Sequence, residues 1–100
     1  MAYDVARLKR LILTALIDKG KYGGAHTPLD NITHNLPDEF LHNKKGQKAI
    51  HEAVKELNNS GWIIILTKRT GKGSDLHISI NPKAIKELSA NFPEISQQCM

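Results

Sequence analysis

Apolar residues recur every three or four positions near the start of the chain, and this pattern predicts an amphipathic helix over residues 4–19. Gly20 follows the last apolar turn and is a natural helix stop. Leu13 and Ile17 fall outside the main stripe, so the helix carries apolar surface on more than one side. Either another element of the same chain covers that surface or a second copy covers it in a homodimer. The main stripe consists of Val5, Leu8, Leu11, Ile12, Ala15 and Leu16.

The next segment combines loop signals with a short apolar pattern. Residues 21–26 (KYGGAH) contain two adjacent glycines and predict a loop or a short edge strand. Thr27 is then expected to cap a second helix with Pro28 at its first position, where a missing N–H costs no hydrogen bond. This short helix should end before Pro37, and residues 37–43 are expected to form a turn. The apolar residues that it should bury are Leu29, Ile32 and Leu36.

A longer third helix is predicted over Lys44–Asn59, with Asn43 as its candidate cap. At about 100° per residue, its apolar residues form one face and a set of basic residues forms a polar flank. Gly46 is expected to weaken the first turn by about 1 kcal/mol relative to alanine. The apolar face consists of Ala49, Ile50, Ala53, Val54 and Leu57, and the polar flank of Lys44, Lys48, His51 and Lys55.

Two β-prone runs, at residues 62–68 and 76–80, predict an antiparallel hairpin. A basic, glycine-containing loop over residues 69–75 (RTGKGSD) is expected to close it. In the second strand apolar and polar residues alternate, so its apolar residues should share one buried face. Those residues are Leu76, Ile78 and Ile80.

The chain is expected to end with a short helix and a tail. Asn81 is a candidate cap and Pro82 suits the first helical position, while Ile85 and Leu88 can pack inward. The sequence thus predicts one domain over residues 1–90, followed by a flexible tail over residues 91–100.

The order of these elements resembles the winged helix-turn-helix family. In detail, the segments HTPLDNITHNLP, KKGQKAIHEAVKELNNSGWI and SINPKAIKEL are similar to small, uncharacterised archaeal winged-helix proteins. The resemblance implies an α+β fold with three helices, a two-stranded antiparallel wing hairpin and a C-terminal helix. A short third strand near residues 22–26 is compatible with this fold.

The resemblance also implies a nucleic-acid site on the third helix and the wing. The helix would enter the major groove of double-stranded DNA, and the wing, at about residues 69–74, would contact the backbone. One such domain contacts few bases, so a homodimeric transcription regulator or nucleoid-associated factor is expected. The alternative is a protein-interaction or dimerisation module in which the lysines only solvate the surface. The candidate contact residues are Lys44, Lys45, Gln47, Lys48, His51, Lys55, Lys68, Arg69 and Lys72.

The overall charge favours an anionic partner, although two local features oppose it. The net charge is +4 in 100 residues. Glu52 and Glu56 can pair with Lys48 or Lys55 and so lower the local potential. Asp38 and Glu39, in the predicted turn, would face phosphate in a standard docking.

Other classes of site receive little support. The segment TGKGSD lacks the spacing and the following helix of a phosphate-binding loop. The five histidines and Cys99 lack the spacing of a zinc site, and no nucleophile has an adjacent base, so neither a metal, a cofactor, a small-molecule substrate nor enzyme activity is expected. The apolar runs are too short to span a membrane, and a single cysteine suits a reducing, cytoplasmic compartment.

Overall fold

The computed structural model describes residues 4–71 and 73–91. These residues form a mixed α+β fold, as predicted, with five α-helices, one 3-10 turn and a three-stranded antiparallel sheet. In chain order the elements are α1 (Val5–Asp18), β1 (Thr27–Pro28), α2 (Leu29–Thr33), α3 (Asp38–Leu41), α4 (Lys44–Asn59), β2 (Ile63–Thr70), β3 (Gly73–Ile80), the 3-10 turn (Pro82–Ala84) and α5 (Ile85–Asn91).

Helix α1 begins and ends where its sequence predicts. The Asp4 side chain accepts a hydrogen bond from the Arg7 N–H at 3.1 Å, and Gly20 follows the helix with a φ of 68°. Leu13 and Ile17 are both buried in the core of the same chain. They therefore do not form the homodimer surface that was one of the two explanations for the apolar pattern of α1.

The third strand lies later in the chain than residues 22–26, the segment for which the sequence left open a loop or a short edge strand. A tight turn, in which the Ala25 N–H donates to the Tyr22 carbonyl, interrupts that segment, and Tyr22 forms only an isolated bridge with Ile80. Thr27 lies in β1, opposite Ile78, with 5% of its surface exposed. The prediction that Thr27 caps α2 is therefore wrong, because its backbone is committed to the sheet.

The predicted turn over residues 37–43 contains an additional helix, α3. Pro37 occupies the position before it, and the acidic pair that follows suits the positive end of a helix. Phe40 points into the core from α3 and is 2% exposed. Burial of this ring explains why a segment of turn-like composition forms a helical turn.

Helix α4 has the predicted bounds, cap and apolar face. The Asn43 side-chain oxygen accepts a hydrogen bond from the Gly46 N–H at 2.7 Å. All five predicted apolar residues are buried. Gly46, however, is buried against the backbone of Phe40, so it is a close-packing position and alanine would not strengthen the helix there as predicted.

The hairpin is longer and its loop shorter than predicted. Strands β2 and β3 pair from Ile63 opposite Ile80 to Thr70 opposite Gly73, so residues 69, 70 and 73–75 belong to the strands and not to the predicted loop. Strand β3 is central, with β1 on one side and β2 on the other. The face of the hairpin that packs on the helices is called the inner face below. Its buried residues are Ile63, Ile78 and Ile80.

The end of the described chain follows its prediction closely. The Asn81 side chain accepts a hydrogen bond from the Lys83 N–H at 3.1 Å, and Pro82 is the first residue of the 3-10 turn. Leu88 of α5 is buried and Ile85 is partly buried against the core. Of the predicted tail over residues 91–100, Asn91 is the last residue of α5, and residues 92–100 lie outside the described part. Among residues 4–71 and 73–91, no helix combines the length and the apolar content that crossing a bilayer requires.

Candidate nucleic-acid interface

Helix α4 presents a row of exposed basic and polar side chains opposite its buried face. Six of the predicted contact residues belong to this helix, and all six are exposed. Spacings of three and four residues place most of them along one side, over a length of about 16 Å. We call this set the α4 row. It consists of Lys44, Lys45, Gln47, Lys48, His51 and Lys55.

The acidic residues of α4 form no ion pair with its lysines among the described residues. Glu56 pairs instead with Lys9 of α1, at 3.3 Å between Nζ and Oε1, and so ties the two helices together. Within the described residues, Glu52 forms no ion pair, and neither does any lysine of the α4 row. The lysines of the row therefore face solvent without a direct ion pair among the described residues, although the exposed Glu52 carboxylate lies on the same helix.

The acidic pair of α3 is partly compensated. The Arg7 Nη1 lies 2.8 Å from Glu39 Oε1, and the guanidinium carbon is 5.9 Å from the centroid of the Phe40 ring. His42 Nε2 lies 3.7 Å from Asp38 Oδ1. Both pairs are solvent-exposed and hence weak, but the Arg7 contact holds Glu39 toward α1. The repulsion of a phosphate by α3 is reduced without being abolished.

Gln47 is oriented by a hydrogen bond to the preceding helix. Its Nε2 donates to the Leu41 carbonyl at 3.2 Å. This bond uses one of the two amide N–H groups, so Gln47 can still donate once and accept through its carbonyl oxygen. That is the combination of groups that recognises adenine in the major groove.

The hairpin separates the two described cations that the sequence grouped in its wing. Lys68 and Arg69 are consecutive residues of β2 and are both exposed. Because side chains alternate along a strand, Arg69 lies on the inner face and Lys68 on the outer face. Only Arg69 shares a side of the sheet with α4. The third predicted wing cation, Lys72, lies outside the described residues.

A histidine pair on the outer face of the sheet was not predicted. His26 Nδ1 lies 2.9 Å from His77 Nδ1, with ring centroids 4.8 Å apart and an angle of 81° between the ring planes. Partial burial lowers the pKa of His26, and the positive charge of Lys68, the His77 ring and Lys21 lower it further. The sequence contains no signal for the pair, because it depends on the position of β1.

A groove of about 510 Å³ runs between α2, α4 and the inner face of the hairpin. Three members of the α4 row lie along it, namely Gln47, His51 and Lys55. Leu76 also lines it and is 42% exposed, so the prediction that this residue is buried with Ile78 is wrong. The inner face extends beyond the helices that cover its base. The apolar side chains along the groove are Leu29, Leu41, Ile50, Val54, Ile65 and Leu76.

Comparisons with known proteins return no relative. A scan against protein-family models finds no match, and searches of curated proteins and of solved structures find none either. The resemblance to winged-helix proteins therefore stays a prediction.

Proposed function

We propose that this protein is a winged-helix protein that binds double-stranded DNA, with α4 in the major groove and the hairpin along the backbone. Three features of the described fold support this arrangement: the short α2 and α3 precede α4, α1 packs on α4, and the hairpin follows directly. In this proposal the protein is a cytoplasmic transcription regulator or nucleoid-associated factor and has no enzyme activity.

The observation that carries the proposal is the α4 row. One face of the helix is in the core, while the opposite face offers lysines that are unpaired within the described residues. A helix of about 10–12 Å diameter fits a major groove about 12 Å wide. Unpaired lysines in that position would replace counterions condensed on the phosphates, and this exchange drives most nucleic-acid binding.

The residues of the interface have different roles in this proposal. Lys44, Lys48 and Lys55 are within reach of phosphates along the groove, while Gln47 is the residue suited to contact a base edge. Arg69 contacts the backbone from the inner face of the hairpin. The remaining candidates of the helix are Lys45 and His51.

A homodimer remains part of the proposal. One α4 reads only a few base pairs, and two copies on adjacent half-sites would supply the specificity that a regulator needs. In the described sheet β2 is an edge strand, so its outer edge is open to a second chain.

A second candidate function is a protein-interaction module, and the groove favours it. Leu76 and Ile65 project apolar surface next to α4, where a partner could pack against the hairpin. In this case the lysines of the α4 row only keep the surface soluble.

The salt dependence of duplex binding separates the two functions. A fluorescein-labelled generic DNA duplex is titrated with the full chain at about 50 and 200 mM salt, and anisotropy is recorded. If about five phosphates are neutralised, the affinity should fall on the order of 500-fold between these concentrations. An RNA duplex of the same sequence should bind more weakly, because its major groove is too narrow for a helix. Absent binding, or an affinity that hardly changes with salt, would rule out the DNA proposal.

A further inference from the structure

The outer face of the sheet brings two imidazole nitrogens together in an arrangement that DNA binding by α4 does not use. His77 lies on β3 opposite Pro28, and His26 immediately precedes β1. Thr27, which lies between His26 and Pro28 in the chain, is almost fully buried opposite Ile78. The strand pairing therefore fixes the backbone on both sides of the contact, and the two rings meet without a long, mobile loop.

We propose that His26 and His77 form a two-nitrogen binding site for a divalent transition ion such as zinc. The geometry of the contact is the first argument. Two nitrogen ligands about 2.0–2.1 Å from one ion lie roughly 2.9–3.4 Å apart, for bond angles between about 90° and 109°. The observed separation of the two Nδ1 atoms is 2.9 Å, at the lower end of this interval.

The protonation of the pair also suits a metal ion. In the hydrogen bond one Nδ1 carries a proton and the other offers its lone pair. A neutral imidazole carries one N–H proton, on either Nδ1 or Nε2. Moving the donor's proton from Nδ1 to Nε2 therefore leaves a lone pair on both Nδ1 atoms, and both can bind the ion. This step releases no proton to solvent. The lowered pKa of His26 keeps its ring in the neutral form that coordinates metals.

The surroundings limit both the ligand set and the affinity. No group of three or more histidine, cysteine, aspartate or glutamate side chains that could hold a metal occurs in the described residues. Solvent molecules would therefore complete the coordination, and the ion would exchange readily. The positive charges that act on His26, from Lys68 and Lys21, would repel the ion. Imidazole ligands favour zinc, nickel and copper over magnesium and calcium.

The repulsion between Lys68 and a bound ion distinguishes a metal site from a histidine pair that is only structural. Zinc chloride is titrated into the full chain by isothermal titration calorimetry, with no DNA present and with magnesium chloride as the negative control. Lys68→Ala should tighten zinc binding by about two- to fivefold at low ionic strength, because a nearby positive charge is removed. His26→Asn and His77→Asn should each weaken binding at least about tenfold, because the loss of an outer-shell partner alone already costs that much and here a direct ligand is removed. His34→Asn, at an exposed position on another part of the surface, is the matched control and should bind like the wild type.

Two results would overturn the proposal. One is unchanged zinc affinity in the His26→Asn and His77→Asn variants, which would place the bound ion elsewhere in the chain. The other is unchanged or weaker binding in Lys68→Ala. If a histidine variant fails to fold, the imidazole resonances of the wild-type protein decide: zinc should shift those of His26 and His77 and leave those of His34 in place. Failure of this site would leave the DNA proposal intact, because the experiment contains no nucleic acid.

Discussion

Gly46 of α4 lies directly against the backbone of Phe40 in α3. A Cβ atom at position 46 would come within 2.6 Å of the Phe40 Cα and would also meet the carbonyl group of that residue. Both groups belong to backbone, which cannot rotate away as a side chain would. The contact sets how closely α3 approaches the start of α4, where the α4 row begins.

The first prediction is that Gly46→Ala destabilises the protein, although alanine is the better helix former. The clash should force α3 and α4 apart and cost about 1–3 kcal/mol of unfolding free energy, as overpacking does in other cores. Chemical denaturation, monitored by circular dichroism, measures this change in unfolding free energy. Gly24→Ala is the control, since a Cβ there meets no atom within 4 Å, and it should change stability by less than about 0.5 kcal/mol. A Gly46→Ala variant more stable than wild type would show that helix propensity dominates at this position.

The second prediction concerns the lysines of the α4 row. The double variant Lys48→Ala/Lys55→Ala should lose affinity for duplex DNA and lower the log–log salt slope by about 1.8, if each lysine neutralises one phosphate. Lys83→Ala/Lys86→Ala removes the same charge from exposed positions of the 3-10 turn and α5. Anisotropy titrations at several salt concentrations compare the DNA affinities of the two double variants. Equal losses in the two double variants would mean that net charge, rather than the α4 row, governs binding.

The third prediction follows from the opposite orientations of two neighbouring cations. Arg69→Ala should weaken DNA binding, because Arg69 lies on the side of the hairpin that α4 occupies. Lys68→Ala should have a smaller effect, since its side chain lies on the outer face. Both variants remove one positive charge from adjacent exposed positions, so each is the control for the other. The same anisotropy assay measures them, and a larger loss for Lys68→Ala would contradict this orientation of the hairpin on DNA.

The fourth prediction distinguishes two leucine-sized residues on the same face of β3. Ile78 is fully buried, and Ile78→Ala should cost about 2–5 kcal/mol of unfolding free energy through the lost contacts and the cavity. Leu76 is 42% exposed, so Leu76→Ala should cost about 1 kcal/mol or less. Thermal or chemical unfolding of the two variants provides the measurement. A similar loss in both would mean that the groove beside Leu76 is closed in solution.

The elements that the sequence predicted well are those whose signals are local. The bounds of α4 follow from a periodic apolar face and from Asn43, whose capping bond spans three residues. The start of the last helical segment follows in the same way from Asn81 and Pro82. Capping, periodicity and strand propensity act between neighbours in the chain, so they can be recognised without the fold.

The features that the sequence missed depend on contacts between distant segments. Threonine is a residue type that is favoured at helix caps, but the pairing of Thr27 with Ile78 places it in a strand. His26 and His77 are 51 positions apart, and only the β1–β3 pairing brings their rings together. Local propensity had no information about either contact.

The sequence by itself therefore determined helices α1 and α4, the hairpin and the exposed row of lysines on α4, because each depends on spacing within one element. The tertiary structure decided that α1 buries its second apolar side, that Gly46 must remain small, and that Lys68 and Arg69 point to opposite faces. These outcomes depend on which surfaces meet and in which register strands pair, and packing between separate elements settles both.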